Sequence, residues 1–246
     1  MCCLKKSVTN ITGVQAMTEN TKHVVAIFDL DGTITKNDSY VAFLIGYLKK
    51  NPARVVRSAL LPFALFLYLV GQRDNRWLKE TFLRTIAGGA SRGEIAQCVD
   101  IFVSRLIGNN LRPGAIEAIQ YHRKRGHVLV LATASMDFYA EKIGSRLGFD
   151  QVISTLAAWD SHNRLTGGLC GNNCYGANKL ERIKRVLGPE LCEWRKIVYS
   201  DHHSDLPVME WADKAVAVNP KRGLNAVALK HNYEIRDWDQ KNESIS

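Results

Sequence analysis

Four short apolar runs, all rich in aliphatic residues that favour β-strands, divide this chain of 246 residues. The stretches between the runs carry helical patterns. Strands that alternate with helices predict an α/β fold, a parallel sheet with helices on both faces. The runs are HVVAIFDLDG, HVLVLATAS, KIVYSD and KAVAVNP, and the helical patterns are Ala115–Arg125, Phe138–Leu147, Lys179–Leu187 and Leu206–Trp211.

Polar side chains end three of these runs, at the sheet edge where ligands of such folds bind. The first run ends in Asp29-Leu30-Asp31-Gly32. Residues two apart on a strand face the same side, so we expect the two carboxylates to converge on one site. A divalent cation would relieve their repulsion, and hard oxygen ligands suit Mg²⁺. A solvated Asp-Gly turn is the alternative for this motif alone.

The other candidate residues are ambiguous when each is taken alone. Thr133 and Ser135 offer hydroxyl and N–H donors for a phosphate oxygen, or else an N-cap of the following helix. Lys179 opens a helical pattern after a glycine-containing loop, and a single lysine is usually solvated. Asp201 and Asp205 lie in DHHSD, which fits a carboxylate site, a transition-metal cluster or a polar loop.

In combination, the motifs resemble those of the haloacid dehalogenase (HAD) superfamily of phosphatases. FDLDGT, VLATAS, Lys179 and YSDHHSD occur in the family's order. The closer likeness is to subfamily IB, the phosphoserine phosphatase-like branch, through LTGGLCGNNCYGANK and DLPVMEWADKAVAVNP. The resemblance implies a Rossmann-like core at 21–38 and 111–246. The helical segment 39–110 is then an inserted cap, and 1–20 is a flexible N-terminal extension.

The resemblance also implies the reaction, Mg²⁺-dependent hydrolysis of a phosphomonoester through an aspartyl-phosphate. Asp29 would be the nucleophile. Asp31 would protonate the leaving oxygen and then deprotonate the attacking water. Thr133 and Lys179 would stabilise charge on the transferring phosphoryl group.

The implied metal site lies among the same residues. Asp29, the main-chain carbonyl of Asp31 and Asp201 would hold Mg²⁺. Asp205 would orient the metal shell or Lys179, and Ser135 would assist at the phosphate.

Two positions in the cap bear on the substrate. Asp38 falls where phosphoserine phosphatases carry an acidic residue for the substrate's amino group, and an N-cap of the helix near Tyr40 is the alternative. The cap arginine of those enzymes precedes a glycine by six residues, and that position before Gly88 holds Phe82. Without a cation for its carboxylate, phosphoserine is expected to be a poor substrate.

Residues 58–71, SALLPFALFLYLVG, form an apolar run flanked by lysines and arginines. It is shorter than the roughly 20 residues that span a bilayer. Such a run is typical of an interfacial segment on anionic lipid. A buried cap helix and a dimer contact are the alternatives. The surrounding cap also resembles that of bacterial phosphatidylglycerophosphate phosphatases of the superfamily.

The charge balance favours an anionic partner, because 33 Lys and Arg against 24 Asp and Glu give a net charge of +9. The basic residues are dispersed without interleaved aromatics, so we expect no nucleic-acid partner. The first hypothesis is a cytoplasmic phosphatase of a small phosphorylated metabolite. The alternative is a lipid-phosphate phosphatase peripheral to the inner membrane face. The sequence assigns no oligomeric state.

Overall fold

A computed structural model describes residues 23–240, so the predicted extension at 1–20 lies outside the described residues. The strands are β1 (Val24–Phe28), β2 (Val128–Met136), β3 (Gln151–Thr155), β4 (Ala157–Trp159), β5 (Leu165–Leu169), β6 (Arg195–Ser200), β7 (Lys214–Val218) and β8 (Glu234–Arg236). The helices are α1 (Ser39–Lys50), α2 (Leu61–Leu69), α3 (Asn75–Ala87), α4 (Arg92–Asn109), α5 (Pro113–Lys124), α6 (Asp137–Leu147), α7 (Ala177–Cys192), α8 (Leu206–Trp211) and α9 (Arg222–Lys230).

Six of the strands form one parallel sheet in the order β3-β2-β1-β6-β7-β8. Strand β1 is buried on both faces, as its continuous apolar sequence requires. Ala26 and Phe28 pack into one hydrophobic core, whereas Val25 and Ile27 pack into the other, with residues of α7, α8 and α9. Helices therefore cover both faces, and the predicted α/β fold is confirmed.

Helices α1 to α4 lie between β1 and α5 in the chain, and α3 packs against the antiparallel β4–β5 hairpin. Gly167 makes this contact feasible. Its φ is +82°, and a Cβ there would lie 2.3 Å from the Cα of Arg84. Residues from the second half of the chain thus help to position α3.

Residues 58–71 are not a buried helix, so that alternative was wrong. Helix α2 follows two 3₁₀ segments, Pro52–Arg54 and Val56–Leu60. Leu60, Phe63 and Leu69 are 77%, 61% and 71% exposed. The continuous stretch Pro52–Leu69 is long and apolar enough to cross a membrane by length and composition, and 11% of it is buried. It is longer than the run that the sequence marked out.

Candidate active site

Asp29 is the first residue beyond β1, at the carboxyl end of the sheet. Its N–H donates to the carbonyl of Tyr199 in β6 at 3.0 Å. A turn begins at once, because the N–H groups of Ile34 and Thr35 both donate to the carbonyl of Leu30. Asp31 therefore lies in a turn and not on the strand. Strand alternation, from which we expected the two carboxylates to converge, does not apply to Asp31, and their convergence stays a prediction.

Lys179, in the first turn of α7, lies between two carboxylates. Its Nζ is 2.8 Å from Oδ1 of Asp29 and 2.7 Å from Oδ1 of Asp205. The lysine is 4% exposed, and Ser200 donates to the other oxygen of Asp205 at 2.7 Å. Lys179 is therefore a buried cation paired with two carboxylates, and not the solvated surface lysine that the sequence allowed.

The pKa values of Asp29 and Lys179 are both raised, for different reasons. Burial raises the pKa of Asp29 well above its usual value; the charge of Lys179 opposes this, and the carboxylates of Asp205 and Asp201 add to it. Burial alone would lower the pKa of Lys179, but Asp205 and Asp29 raise it above its usual value. Lys179 therefore stays charged.

Asp201 follows β6 and is 1% exposed. Its Oδ1 accepts from the hydroxyl of Thr33 at 3.2 Å, and its Oδ2 lies 2.9 Å from Nζ of the exposed Lys221. Gly32 allows the loop after β1 to approach the loop after β6 closely. Its φ is +87°, and a Cβ there would lie 2.2 Å from Oδ2 of Asp201. The glycine of the first motif is thus required by the aspartate of the fourth.

Asp31 belongs to a neighbouring hydrogen-bonded group. Its Oδ1 accepts from the N–H of Ser39 and its Oδ2 from the hydroxyl of Ser135, both at 2.6 Å. Burial raises the pKa of Asp31 and the charge of Asp38 adds to this, while the hydrogen bonds from Ser135 and Ser39 oppose it. A carboxyl group with a raised pKa keeps a proton at higher pH, as a general acid needs.

Two other predicted residues, Thr133 and Asp38, and one histidine of the DHHSD motif make local contacts. The hydroxyl of Thr133 accepts from the N–H of Ser135 at 3.0 Å. Asp38 is exposed and accepts from the N–H of Val41 at 2.8 Å, so it is the N-cap of α1, the role that the sequence held as the alternative. His202 bonds through Nδ1 to Ser204. Across residues 23–240, no three His, Cys, Asp or Glu side chains form a cluster that could hold a metal ion by themselves.

Lys79 of α3 is a residue that sequence reasoning missed. Its Nζ donates to the carbonyl of Ala134 at 2.7 Å and to Oδ1 of Asn173 at 3.0 Å. Burial lowers its pKa to about 8. The only sequence signal is its spacing from Leu83 and Ile86, which places it on the inward face of an amphipathic helix.

Comparison with known proteins fits this arrangement. The model of the haloacid dehalogenase-like hydrolases matches residues 26–210. The chain belongs to this family. It is 31% identical over 191 residues to Protein CicA of Caulobacter vibrioides, and this alignment covers 78% of this chain and 84% of that protein.

Other matches extend over more of this HAD hydrolase. The phosphoserine phosphatase SerB1 of Mycobacterium tuberculosis is 27% identical over 218 residues, 87% of this chain and 70% of that protein. A structure of a Bordetella pertussis protein of unknown function shares the fold, with a TM-score of 0.77 at 24% identity, and covers 89% of this chain and 100% of that one. The family and the similarity to the phosphoserine phosphatase SerB1 support the predicted enzyme class, a phosphatase.

Proposed function

We propose that this HAD hydrolase is a Mg²⁺-dependent phosphomonoesterase that works through an aspartyl-phosphate. The observation that carries the proposal is the buried Lys179, held between Asp29 and Asp205 at the carboxyl end of the sheet. A cation at this position stabilises the negative charge of a phosphoryl group transferred to Asp29.

The proposed reaction has two steps, formation of the aspartyl-phosphate and its hydrolysis. The Asp29 carboxylate bonds to phosphorus as the bond to the leaving oxygen breaks, and Asp31 gives its proton to that oxygen. Asp31 then takes a proton from water, whose oxygen attacks phosphorus and releases inorganic phosphate from Asp29. The raised pKa of Asp31 suits the first step, because burial favours the protonated form that donates to the leaving oxygen.

The donor set suits a divalent cation. Asp29, with 12% of its side chain exposed, and the buried Asp201 follow neighbouring strands, and the charge of Asp201 contributes to the raised pKa of Asp29. With the main-chain carbonyl of Asp31 they would supply the hard oxygen ligands that Mg²⁺ prefers. When bound, the cation would supply positive charge that favours the ionised nucleophile.

Treatment with EDTA followed by dialysis should abolish hydrolysis of p-nitrophenyl phosphate, and added Mg²⁺ should restore it. The reason is that two buried carboxylates must otherwise face an anionic substrate. Initial rates measured after adding back Mg²⁺, Ca²⁺ or Zn²⁺ check the prediction. Full activity in EDTA contradicts it, and stronger recovery with Zn²⁺ favours His202 and His203 as ligands.

A second candidate is hydrolysis of a lipid phosphate at an anionic membrane. The observation that favours it is the apolar cap surface, which comprises Val56, Leu60, Phe63, Phe66 and Leu69, all more than half exposed. Exposed apolar patches of this kind mark interaction sites. Exposed cations flank the patch, namely Lys49, Lys50, Arg57 and Arg73. Exposed apolar residues with exposed cations nearby in the chain match an anionic bilayer better than the core of a dimer.

Flotation with phosphatidylglycerol vesicles tests this candidate. Wild type should float with them and not with phosphatidylcholine vesicles. The triple variant Leu60→Asn/Phe63→Asn/Leu69→Asn should bind at least tenfold more weakly, because burying each side chain contributes about 1.5–3 kcal/mol. Leu229→Asn, at an exposed leucine of α9, is the matched control and should float like wild type.

Hydrolysis of p-nitrophenyl phosphate should be the same for all three proteins. A wild type that stays at the bottom of the gradient contradicts the membrane candidate. If it instead dimerises in light scattering and the triple variant does not, the apolar cap surface is a dimer contact.

A further inference from the structure

The segment after β8, residues 237–239, packs against the start of α5. Trp238 is 1% exposed, and the N–H of Gly114 donates to its carbonyl at 3.1 Å. Glycine is needed at this contact, because a Cβ on Gly114 would lie 2.5 Å from the indole ring. Trp238 therefore fixes the segment to the core, while the aspartates on either side of it stay exposed.

Arg112, the N-cap residue of α5, joins the segment after β8 to the loop after β1. Its Nε donates to the carbonyl of Gly32 at 3.0 Å, and its Nη1 forms an ion pair with Asp239. The side chain of Arg112 is 10% exposed, whereas that of Asp239 is 45% exposed. The N–H donors of a guanidinium group lie in one fixed plane. A carboxylate bound at Nη1 therefore also sets the direction in which Nε donates.

The carbonyl that Arg112 holds belongs to Gly32, whose backbone has wide conformational freedom. Its φ of +87° lies in the region that favours glycine. A Cβ at this position would meet Asp201, so no side chain of its own can restrain this part of the backbone. The restraint comes from neighbouring side chains instead. Arg112 donates to the carbonyl of Gly32, and the hydroxyl of the next residue, Thr33, donates to Asp201.

Rotation at Gly32 would change the direction of a proposed metal ligand. The peptide on one side of Gly32 carries the main-chain carbonyl of Asp31, and the peptide on the other side carries the carbonyl that Arg112 holds. Because the two planar peptides meet at Gly32, fixing the second limits the directions that the first can adopt. Partners that orient metal ligands in this way typically change metal affinity by about 10- to 100-fold.

The segment after β8 also supports the loop after β7, which contacts Asp201. Asn219 in that loop accepts from the N–H of Trp238 at 2.9 Å and donates to Oδ1 of Asp237 at 2.6 Å. Two residues further on, the N–H of Lys221 donates to the main-chain carbonyl of Asp201 at 2.9 Å. The segment is thus connected to the surroundings of two proposed Mg²⁺ ligands.

We propose that Arg112, held in place by Asp239, is a positioning residue for the Mg²⁺ site. It restrains the backbone at Gly32 so that the carbonyl of Asp31 keeps one direction relative to Asp201. This rests on the proposed phosphomonoesterase function, in which both groups bind the cation. Neither Arg112 nor Asp239 is a proposed ligand, so their loss weakens the metal site without removing a ligand from it.

Arg112→Met should raise the dissociation constant for Mg²⁺ by about 10- to 100-fold, because the carbonyl of Gly32 loses its donor. Isothermal titration calorimetry without substrate measures this constant. Arg54→Met is the matched control and should bind Mg²⁺ as wild type does. Arg54 also donates to main-chain carbonyls, those of Ile86 and Gly88 in the cap, at 3.0 and 2.7 Å. Excess Mg²⁺ should bring the kcat of Arg112→Met for p-nitrophenyl phosphate close to the wild-type value, a recovery that a misfolded protein would not show.

Asp239→Asn is a milder variant, because it leaves the hydrogen bond from Arg112 to Gly32 in place. It should raise the dissociation constant for Mg²⁺ by about 2- to 5-fold, as the loss of a partly exposed ion pair predicts. The matched control is Asp213→Asn. The side chain of Asp213 is 50% exposed and pairs with Lys196 at the amino end of the sheet. This control should leave Mg²⁺ binding unchanged.

The proposal is overturned if wild type binds Mg²⁺ and the Arg112→Met and Asp239→Asn variants bind it no more weakly than their controls. If Arg112→Met does not fold, the comparison of Asp239→Asn with Asp213→Asn decides alone. A folded Arg112→Met whose kcat stays low in excess Mg²⁺ also overturns the proposal. A wild type that neither binds Mg²⁺ nor hydrolyses p-nitrophenyl phosphate in its presence overturns the proposed function itself.

Discussion

Asp29→Asn should lower kcat for p-nitrophenyl phosphate by at least about 10⁴-fold, because a carboxamide cannot form the covalent phosphoryl intermediate. The fold should survive. Lys179 keeps Asp205 as an anionic partner, and the repulsion of Asp29 by Asp201 and Asp205 disappears. The melting temperature measured in EDTA should therefore change little.

The matched control is Asp100→Asn, at an exposed carboxylate of α4. It should keep wild-type activity and stability. Trapping with radiolabelled substrate should label wild type and the control but not Asp29→Asn. Near wild-type turnover by Asp29→Asn would contradict the covalent mechanism. Labelling of the variant would show that another residue is the nucleophile.

The strands that carry the motifs could be predicted because their signal is local. Strand β1 and strands β6 and β7 beside it are runs of apolar and largely β-branched residues that end in polar ones, so sequence alone marks their ends. Strands β3, β4, β5 and β8 were missed, because three to five residues such as QVIST or LTGGL carry little pattern. The β4–β5 hairpin depends on its packing against α3, which the sequence does not show.

The residues of the site also divide into those that the sequence predicts and those that it does not. Asp29, Lys179 and Asp205 could be named from motifs, and the structure brings them into contact. The argument from strand alternation was wrong for Asp31, since turn geometry directs it to Ser39 and Ser135. Lys79 was missed because its importance arises from a hydrogen bond across 55 positions to Ala134. Its helical spacing from Leu83 and Ile86 indicates an inward face but not a contact with Ala134.

Exposure of the apolar cap surface also depends on tertiary structure. Hydrophobicity at residues 58–71 fits a core helix and a membrane-facing helix equally well. Only the packing of α2, which buries Leu61 and Ala64 and leaves Phe63 and Phe66 outside, separates the two.

Lys179→Met should destabilise the fold as well as abolish activity. The substitution leaves Asp29 and Asp205 buried without their shared cation, and breaking a buried ion pair from one side costs about 3–5 kcal/mol. For a chain of this size, we expect a fall in melting temperature of about 6–20 °C. Thermal unfolding followed by circular dichroism in EDTA measures it, with Lys184→Met on the exposed side of α7 as the control.

The loss should depend on pH, because the charge of Lys179 holds down the pKa of Asp29, which burial raises. Without the lysine that pKa rises further, and an acid whose folded-state pKa is raised loses stability as pH increases through it. The deficit of Lys179→Met should therefore be larger at pH 8 than at pH 5. Adding Asp205→Asn to Lys179→Met should recover part of the stability at pH 8, because one uncompensated carboxylate is gone. A Lys179→Met protein that melts within about 2 °C of wild type at pH 8 would show that Asp29, Lys179 and Asp205 are not coupled. That result would contradict the role given to Lys179 in the mechanism.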